Sequence, residues 1–230
     1  MQPHDFWQEV HPAGTFDRAG PFSGFYPANL DDSSGTGGSQ IRLPIRPLAD
    51  GEHALASLII NQASFDVQDA LAADLAPKLA AYRPEVIVGL PTLGLTLAAA
   101  VARSLGFRRY VPLGTSKKFW YDETLSVPLS SITTPEQQKR LYVDPRMLPL
   151  IKGKRVALVD DVISSGTSIV SGLTLMASLD IEPVVIGAAM LQSERWHARL
   201  DAFGPQWRER VAGVFKTPML KRAGEGIWAA

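Results

Sequence analysis

From about residue 53 onward, the apolar positions fall into short uninterrupted runs with helical patterns between them. ALASLII (54–60), EVIVGL (85–90), RRYVPL (108–113), RVALVDD (155–161), EPVVIGAAML (182–191) and VAGVFK (211–216) show no strict apolar–polar alternation. A strand with apolar side chains on both faces must be covered on both, which is the environment of a parallel sheet. Between the runs, Ser64 is placed to cap a helix that ends near Tyr82, with Phe65, Val67, Leu71, Leu75 and Leu79 predicted on its apolar face. Further helices are predicted from about Leu93 to Leu105 and from about Thr167 to Leu179. The expected fold class is α/β, a parallel sheet flanked by helices.

Residues 1–52 have a different texture, rich in Gly, Pro, Ser and aromatic residues, with no helical period. GFYPANL and IRLPIRPL flank DDSSGTGGSQ, which suits two short strands around a flexible turn, with prolines confining them to a sheet edge. The expected organisation is an amino-terminal hairpin flap over 1–52 and an α/β core over 53–230. Within that core, the polar segment 114–144 is too long for a connector and has the character of a lid.

Composition narrows the chemistry. Lys plus Arg equals Asp plus Glu at 23 each, so no global field draws the chain to nucleic acid or to an anionic membrane. No window has the ~18 consecutive apolar residues of a membrane helix, and the sequence MQPHDFWQEV is unlike a secretion signal, so the cytoplasm is the expected location. Cysteine is absent, and His4, His11, His53 and His197 have no zinc-ligand spacing. Carboxylates, lysines, hydroxyls and backbone amides are left to carry any reaction.

One stretch concentrates those groups. In RVALVDDVISSGTSIV, an apolar strand runs into Asp160 and Asp161, then into Ser164, Ser165, Gly166, Thr167 and Ser168 at the start of a helix. Ligands of parallel sheets bind at the carboxyl ends of the strands. A helix start offers unpaired N–H groups and a positive dipole end, so the hydroxyl-rich loop is a socket for a phosphate monoester. Two carboxylates beside it can accept hydrogen bonds from a sugar diol and lie near a divalent cation. Taken alone, SSGTS is equally a helix cap; the preceding acids make the combination specific.

VALVDDVISSGTS resembles the phosphoribosyl pyrophosphate signature of the type I phosphoribosyltransferases, and the resemblance in element order covers about residues 55–190. It implies that Asp160 and Asp161 meet the ribose hydroxyls and that 164–168 hold the 5′-phosphate. GLPTLGLTLAAAVARSLG stands where the family keeps its pyrophosphate loop, so Pro91, Thr92, Leu93 and Gly94 are expected against the diphosphate. Segment 114–144 is similar to the family's flexible catalytic loop, with Lys117 and Lys118 as its basic pair and KRLYVD as the returning strand. The implied reaction is a magnesium-dependent pentosyl transfer, in which a nucleobase displaces pyrophosphate from phosphoribosyl pyrophosphate. Mg²⁺ would be held mainly by substrate, with Asp160 and Asp161 nearby, and a homodimer is expected by resemblance.

The acceptor is less sharply marked. Ser164 stands where 6-oxopurine enzymes of this family carry an aspartate, which leaves adenine, xanthine and orotate. The GT pair of DDVISSGTSI points to orotate and the long loop to an adenine-like enzyme of purine salvage, which is favoured. Phe25 and Tyr26 on the flap are candidates to stack the base, although they equally suit packing of the hairpin. A regulator that senses phosphoribosyl pyrophosphate without catalysis is the alternative, with few cations and no helix-turn-helix in residues 1–52 to support it.

Overall fold

A computed structural model describes residues 2–30, 38–129 and 139–230. In chain order its elements begin with four strands, β1 (Phe22–Ser23), β2 (Phe25–Asn29), β3 (Gln40–Pro47) and β4 (His53–Ala56), then α1 (Phe65–Ala80), β5 (Val86–Gly89), α2 (Gly94–Ser104) and β6 (Val111–Pro112). The lid segment supplies β7 (Ser126–Pro128) and β8 (Arg140–Tyr142), followed by α3 (Leu148–Ile151), β9 (Val156–Ile163) and α4 (Thr167–Ala177). The remainder is β10 (Val185–Gln192), α5 (Trp196–Phe203), α6 (Gln206–Glu209), β11 (Val211–Thr217), β12 (Met219–Gly224) and β13 (Ile227–Ala229).

Among the described residues, five parallel strands in the order β11-β10-β9-β5-β6 form the central sheet. Its two faces belong to different clusters: Ala157 and Val159 of β9 pack in the one that contains α1 and α2, while Val156 and Leu158 pack in the one that contains α4 and α5. Double-sided burial is why these strands show no alternation in sequence. Because the strands are parallel, the loops after β5, β9, β10 and β11 all open at one end of the sheet.

Helix α1 is capped as expected, Ser64 Oγ accepting the Val67 N–H at 3.2 Å, and Val67, Leu71, Leu75 and Leu79 are buried. Phe65 is a correction: it is 81% exposed. Two residues from Val67 at 3.6 residues per turn is about 200° of rotation, so Phe65 points away from the buried stripe.

The hairpin is present, with Phe25↔Pro44 through Asn29↔Gln40 paired antiparallel; the turn predicted at DDSSGTGGSQ lies mostly outside the described residues. The hairpin joins a larger antiparallel sheet, β1-β13-β12-β4-β3-β2, which combines strands from residues 22–56 with strands from 219–229. Gln192 Nε2, at the end of β10, donates to Ala56 O at 2.6 Å and ties this hood to the central sheet.

Candidate active site

Strand β9 does not stop at the aspartates. It continues to Ile163, so Asp160 and Asp161 are strand residues, and both are buried. Asp160 pairs in register with Ala188 of β10. A small concavity of about 80 Å³ is walled by Asp160, Val162 and the whole loop 164–168, bringing one acid and all five predicted phosphate-loop residues together. Inside the loop, Ser165 Oγ and Thr167 Oγ1 lie 3.0 Å apart in a hydrogen bond. Asp161 sits beside this wall, its N–H donating to Asp160 Oδ1 at 3.0 Å.

Gly166 has φ +78°, a left-handed conformation that favours glycine, and it immediately precedes α4. A side chain there would project toward α5, with Trp196 Cβ and Leu200 Cδ1 each 3.3 Å from an added Cβ. The loop's tight turn and its packing on α5 both require this glycine.

Burial, and secondarily the neighbouring Asp161 carboxylate, push Asp160 well above the usual carboxylate range. Burial raises Asp161 as well. Such a pair is poised to ionise when a cation or a set of hydroxyl donors arrives. Among the described residues, no cluster of three or more His, Asp or Glu side chains could hold a metal ion.

The turn after β5 lies directly across from Asp160. Leu90 N–H donates to Val159 O at 2.8 Å, holding the start of the turn against β9. Gly94 is buried at the first position of α2, and an added Cβ would come within 2.7 Å of Asp160 Oδ1 and 2.8 Å of Asp160 Cα. Ahead of it, Thr92 is exposed and Pro91 and Leu93 are half-buried.

Lys117 and Lys118 stand apart from this cluster. Lys117 pairs with Glu123, and Lys118 O accepts the Tyr121 N–H at 2.9 Å; neither side chain hydrogen-bonds a socket residue. Their arm is anchored elsewhere, by Arg146 stacked 4.4 Å from the Trp120 ring centroid and bonded to Asp144 at 2.6 Å. That bond holds Asp144 down to about 2. The returning strand is present, β7 and β8 pairing antiparallel, while 130–138 of the expected loop lie outside the described residues.

In the hood, Tyr26 is buried edge-on to Phe22 at 5.0 Å between ring centroids, and Phe25 is edge-on to Phe16 at 5.2 Å. Both rings pack the hairpin, and Tyr26 also borders an opening above the ends of β10 and β11. One residue absent from the sequence reading adjoins the socket: Arg195 Nη2 donates to Ser164 Oγ at 2.9 Å. The available signal was position, since Arg195 follows β10 and parallel strands place their ligands at such ends.

The chain is 31% identical over 145 residues to the adenine phosphoribosyltransferase of Albidiferax ferrireducens, covering 62% of this chain and 66% of that one. It is 26% identical over 144 residues to the orotate phosphoribosyltransferase of Caldanaerobacter subterraneus subsp. tengcongensis, covering 63% of this chain and 62% of that one. Both matches span slightly less than two thirds of the relative's own length. In fold it is similar to the adenine phosphoribosyltransferase crystal structure from Thermoanaerobacter pseudethanolicus, with a TM-score of 0.53 at 20% identity over 66% of this chain and 81% of that one. The model of the phosphoribosyl transferase domain matches residues 55–204. That span contains Asp160, the 164–168 socket and the 91–94 turn, and the chain belongs to the phosphoribosyl transferase domain family.

Proposed function

We propose that this protein transfers the 5-phosphoribosyl group of phosphoribosyl pyrophosphate to a ring nitrogen of a nucleobase, with release of pyrophosphate. The carrying observation is the buried Asp160, which walls the hydroxyl-lined loop on one side and contacts the Gly94 turn on the other. Phosphate, ribose and diphosphate sites in that order match the donor's own layout.

In this reading the amides and hydroxyls of 164–168 take the 5′-phosphate at the start of α4. Asp160 and Asp161 accept hydrogen bonds from the ribose hydroxyls and, once ionised, stabilise positive charge at the anomeric carbon. The ring nitrogen supplies the electron pair for the new C–N bond. The old C–O bond breaks with its electrons leaving on pyrophosphate, and a ring N–H proton, where present, passes to solvent or to the leaving group. The N–H groups of Thr92, Leu93 and Gly94, in the turn that begins at Pro91, hold the diphosphate, and Lys117 and Lys118 reach it when the arm leaves its pairing with Glu123. Asp160 and Asp161 would lie beside a Mg²⁺ carried mainly by the donor, and that ion would neutralise charge on the diphosphate.

The test is pyrophosphate release from the donor and Mg²⁺ with adenine, xanthine, hypoxanthine, guanine, uracil and orotate in turn, alongside donor affinity by calorimetry. Adenine, named in one relative, is the reference acceptor and would place the enzyme in purine salvage. Turnover with a base, abolished in Asp160→Asn, supports transfer. Tight donor binding with silence from every base would replace it by a sensor of the donor.

A further inference from the structure

A cavity of about 460 Å³ lies between the end of α2, the start of β6 and the arm that carries Lys117 and Lys118. It shares no lining residue with the phosphate socket. Arg103 on its wall stands nine residues along α2 from Gly94, about 14 Å at ~1.5 Å per residue. Arg108 and Arg109 border the same cavity. The local fold gathers the three. Just past α2, Gly106 has φ +76° and turns the chain back, and Phe107 N–H donates to Ala102 O at 2.9 Å, closing the helix end. Arg108 and Arg109 follow at once, beside the last turn that carries Arg103.

A cation at a helix carboxyl end is stabilised by the dipole, which accounts for Arg103 but not for its two neighbours. Among the described residues, none of the three guanidiniums has a carboxylate or a hydrogen-bond partner. The acid on the wall, Asp144, is already held by Arg146 through Nη2 at 2.6 Å. Like charges gathered on one concavity repel one another, and an anion entering it relieves that repulsion. Guanidinium forks bind phosphate oxygens in pairs. The rest of the wall suits a ring: Tyr110 borders the cavity on the β6 side and Tyr121 on the arm, with Ala102 and Phe107 between. Aromatic and apolar groups of this kind cover a flat heterocycle, and the volume falls within the ~300–1,000 Å³ of small-molecule sites.

We propose that this cavity is a second, regulatory site for a nucleotide, with the phosphate on Arg103, Arg108 and Arg109 and the base against Tyr110 and Tyr121, and that its occupancy holds the arm at rest. Tyr121 N–H donates to Lys118 O at 2.9 Å, so the tyrosine and the lysine pair belong to one turn. When that turn carries Lys117 away from Glu123 and over the diphosphate, Tyr121 leaves the cavity wall. A ligand bound under Tyr121 therefore favours the resting arm and opposes closure. The site itself stands without the phosphoribosyl-transfer reading; its effect on turnover rests on that reading. The reaction proposed above yields a nucleotide, so the cavity gives its product a hold on the arm.

The experiment titrates adenosine, guanosine and uridine 5′-monophosphates into the parent and into Arg108→Ala with Arg109→Ala, by calorimetry, with adenosine and inorganic phosphate as partial probes. Both arginines are exposed, so the variant keeps the fold, which a thermal melt checks. Trp120 emission, taken by difference from Trp120→Phe, reports the cavity, because its ring neighbours Tyr121 at 6.0 Å between centroids. The parent is expected to bind at least one of the nucleotides at two sites per chain with a Trp120 response, and the variant to lose one site and the response, its affinity there falling about 30-fold or more. Adenosine and inorganic phosphate should each bind the cavity at least about tenfold more weakly than the nucleotide. At saturating donor, that nucleotide should lower kcat in the parent and leave kcat of the variant unchanged, since simple competition at the active site is then overcome. A single site per chain for every nucleotide overturns the proposal, as does adenosine or phosphate binding as tightly as the nucleotide. A second site with parental kcat unchanged overturns the hold on the arm. A parent with no second nucleotide site, together with a variant of altered mass in sedimentation, assigns the arginines to contact with another copy of the chain and overturns the proposal. A second site in a protein that turns over no base leaves the cavity assigned and removes the transfer reading alone.

Discussion

Replacing Gly94 by alanine tests whether the turn after β5 and the buried aspartate form one unit. The new Cβ would lie 2.7 Å from Asp160 Oδ1, 2.8 Å from Asp160 Cα and 3.2 Å from Val159 O. Comfortable non-bonded carbon contacts begin near 3.5 Å, so the start of α2 must retreat by roughly 0.7 Å or more. The obstacle is backbone of β9, a strand paired on both sides, and cannot swing aside as a flexible side chain could. Overpacking of this kind costs about 1–3 kcal/mol, against a gain of at most ~1 kcal/mol from replacing glycine in a helix. The net loss, centred on about 1 kcal/mol and at most ~3 kcal/mol, lowers Tm in a domain of this size by about 2–4 °C per kcal/mol. Moving the turn away from Asp160 by this distance should weaken donor binding at least about tenfold. Gly106→Ala is the control: its φ is +76° and nothing lies within 4 Å of an added Cβ. It should cost about 1–2 kcal/mol through backbone strain alone and leave donor affinity at the parent value. Thermal melts and calorimetric titration with phosphoribosyl pyrophosphate measure both. A Gly94→Ala protein with parental Tm and parental donor affinity would show that the turn does not press on Asp160.

Three further outcomes follow from the site and the lid arm. Asp160 binds its proton more tightly folded than unfolded, so its contribution to stability declines as pH rises from the ordinary carboxylate range through its raised value; Asp160→Asn should therefore gain on the parent in denaturant melts as pH is raised, while losing donor binding, and a constant difference across pH would contradict the buried charge. Lys117→Ala with Lys118→Ala should cut turnover by roughly 100-fold while changing donor affinity by only about threefold, because diphosphate charge grows towards the transition state; equal turnover in both proteins removes these lysines from the reaction. The Arg146 guanidinium holds Asp144 at about 2, below the ordinary aspartate 3.8, so their bond stabilises the arm above pH 3.8 and is lost as pH falls through about 2. Trp120 emission, obtained by difference from Trp120→Phe, should thus be unchanged from pH 7 to pH 4 and altered at pH 7 by Arg146→Ala; a transition near pH 4 would refute the clamp.

The parallel core was legible because its information is local: runs such as VALV and VIVG are apolar at consecutive positions, and only burial on both faces explains that. The socket was legible for a similar reason, as its acids and its loop are contiguous in sequence. The place of Asp160 in the wall, and its contact with Gly94, depend on register between β5 and β9, and sequence does not encode that contact by proximity. The hood was only half readable. GFYPANL and IRLPIRPL announce a hairpin, but their sheet is completed by MLKRAG and IWA, short and mostly half-exposed segments whose pairing partners lie far away in the chain. Arg195 was missed because it belongs to no motif; it adjoins the socket, through Ser164, from the strand end on which it stands.

The pairing Phe22↔Trp228 spans nearly the whole sequence, and Leu55↔Met219 joins the same sheet across the core. A ribosome emits residues in order, so the five parallel strands can meet before the sheet above them has all its members. During that interval Phe22 and Tyr26, buried in the finished molecule, have no cover from β13, and β4 presents an unpaired edge. The hood sheet therefore closes only after the central strands have emerged, and its long-range pairing is the slow step during which these rings and this edge are exposed to aggregation.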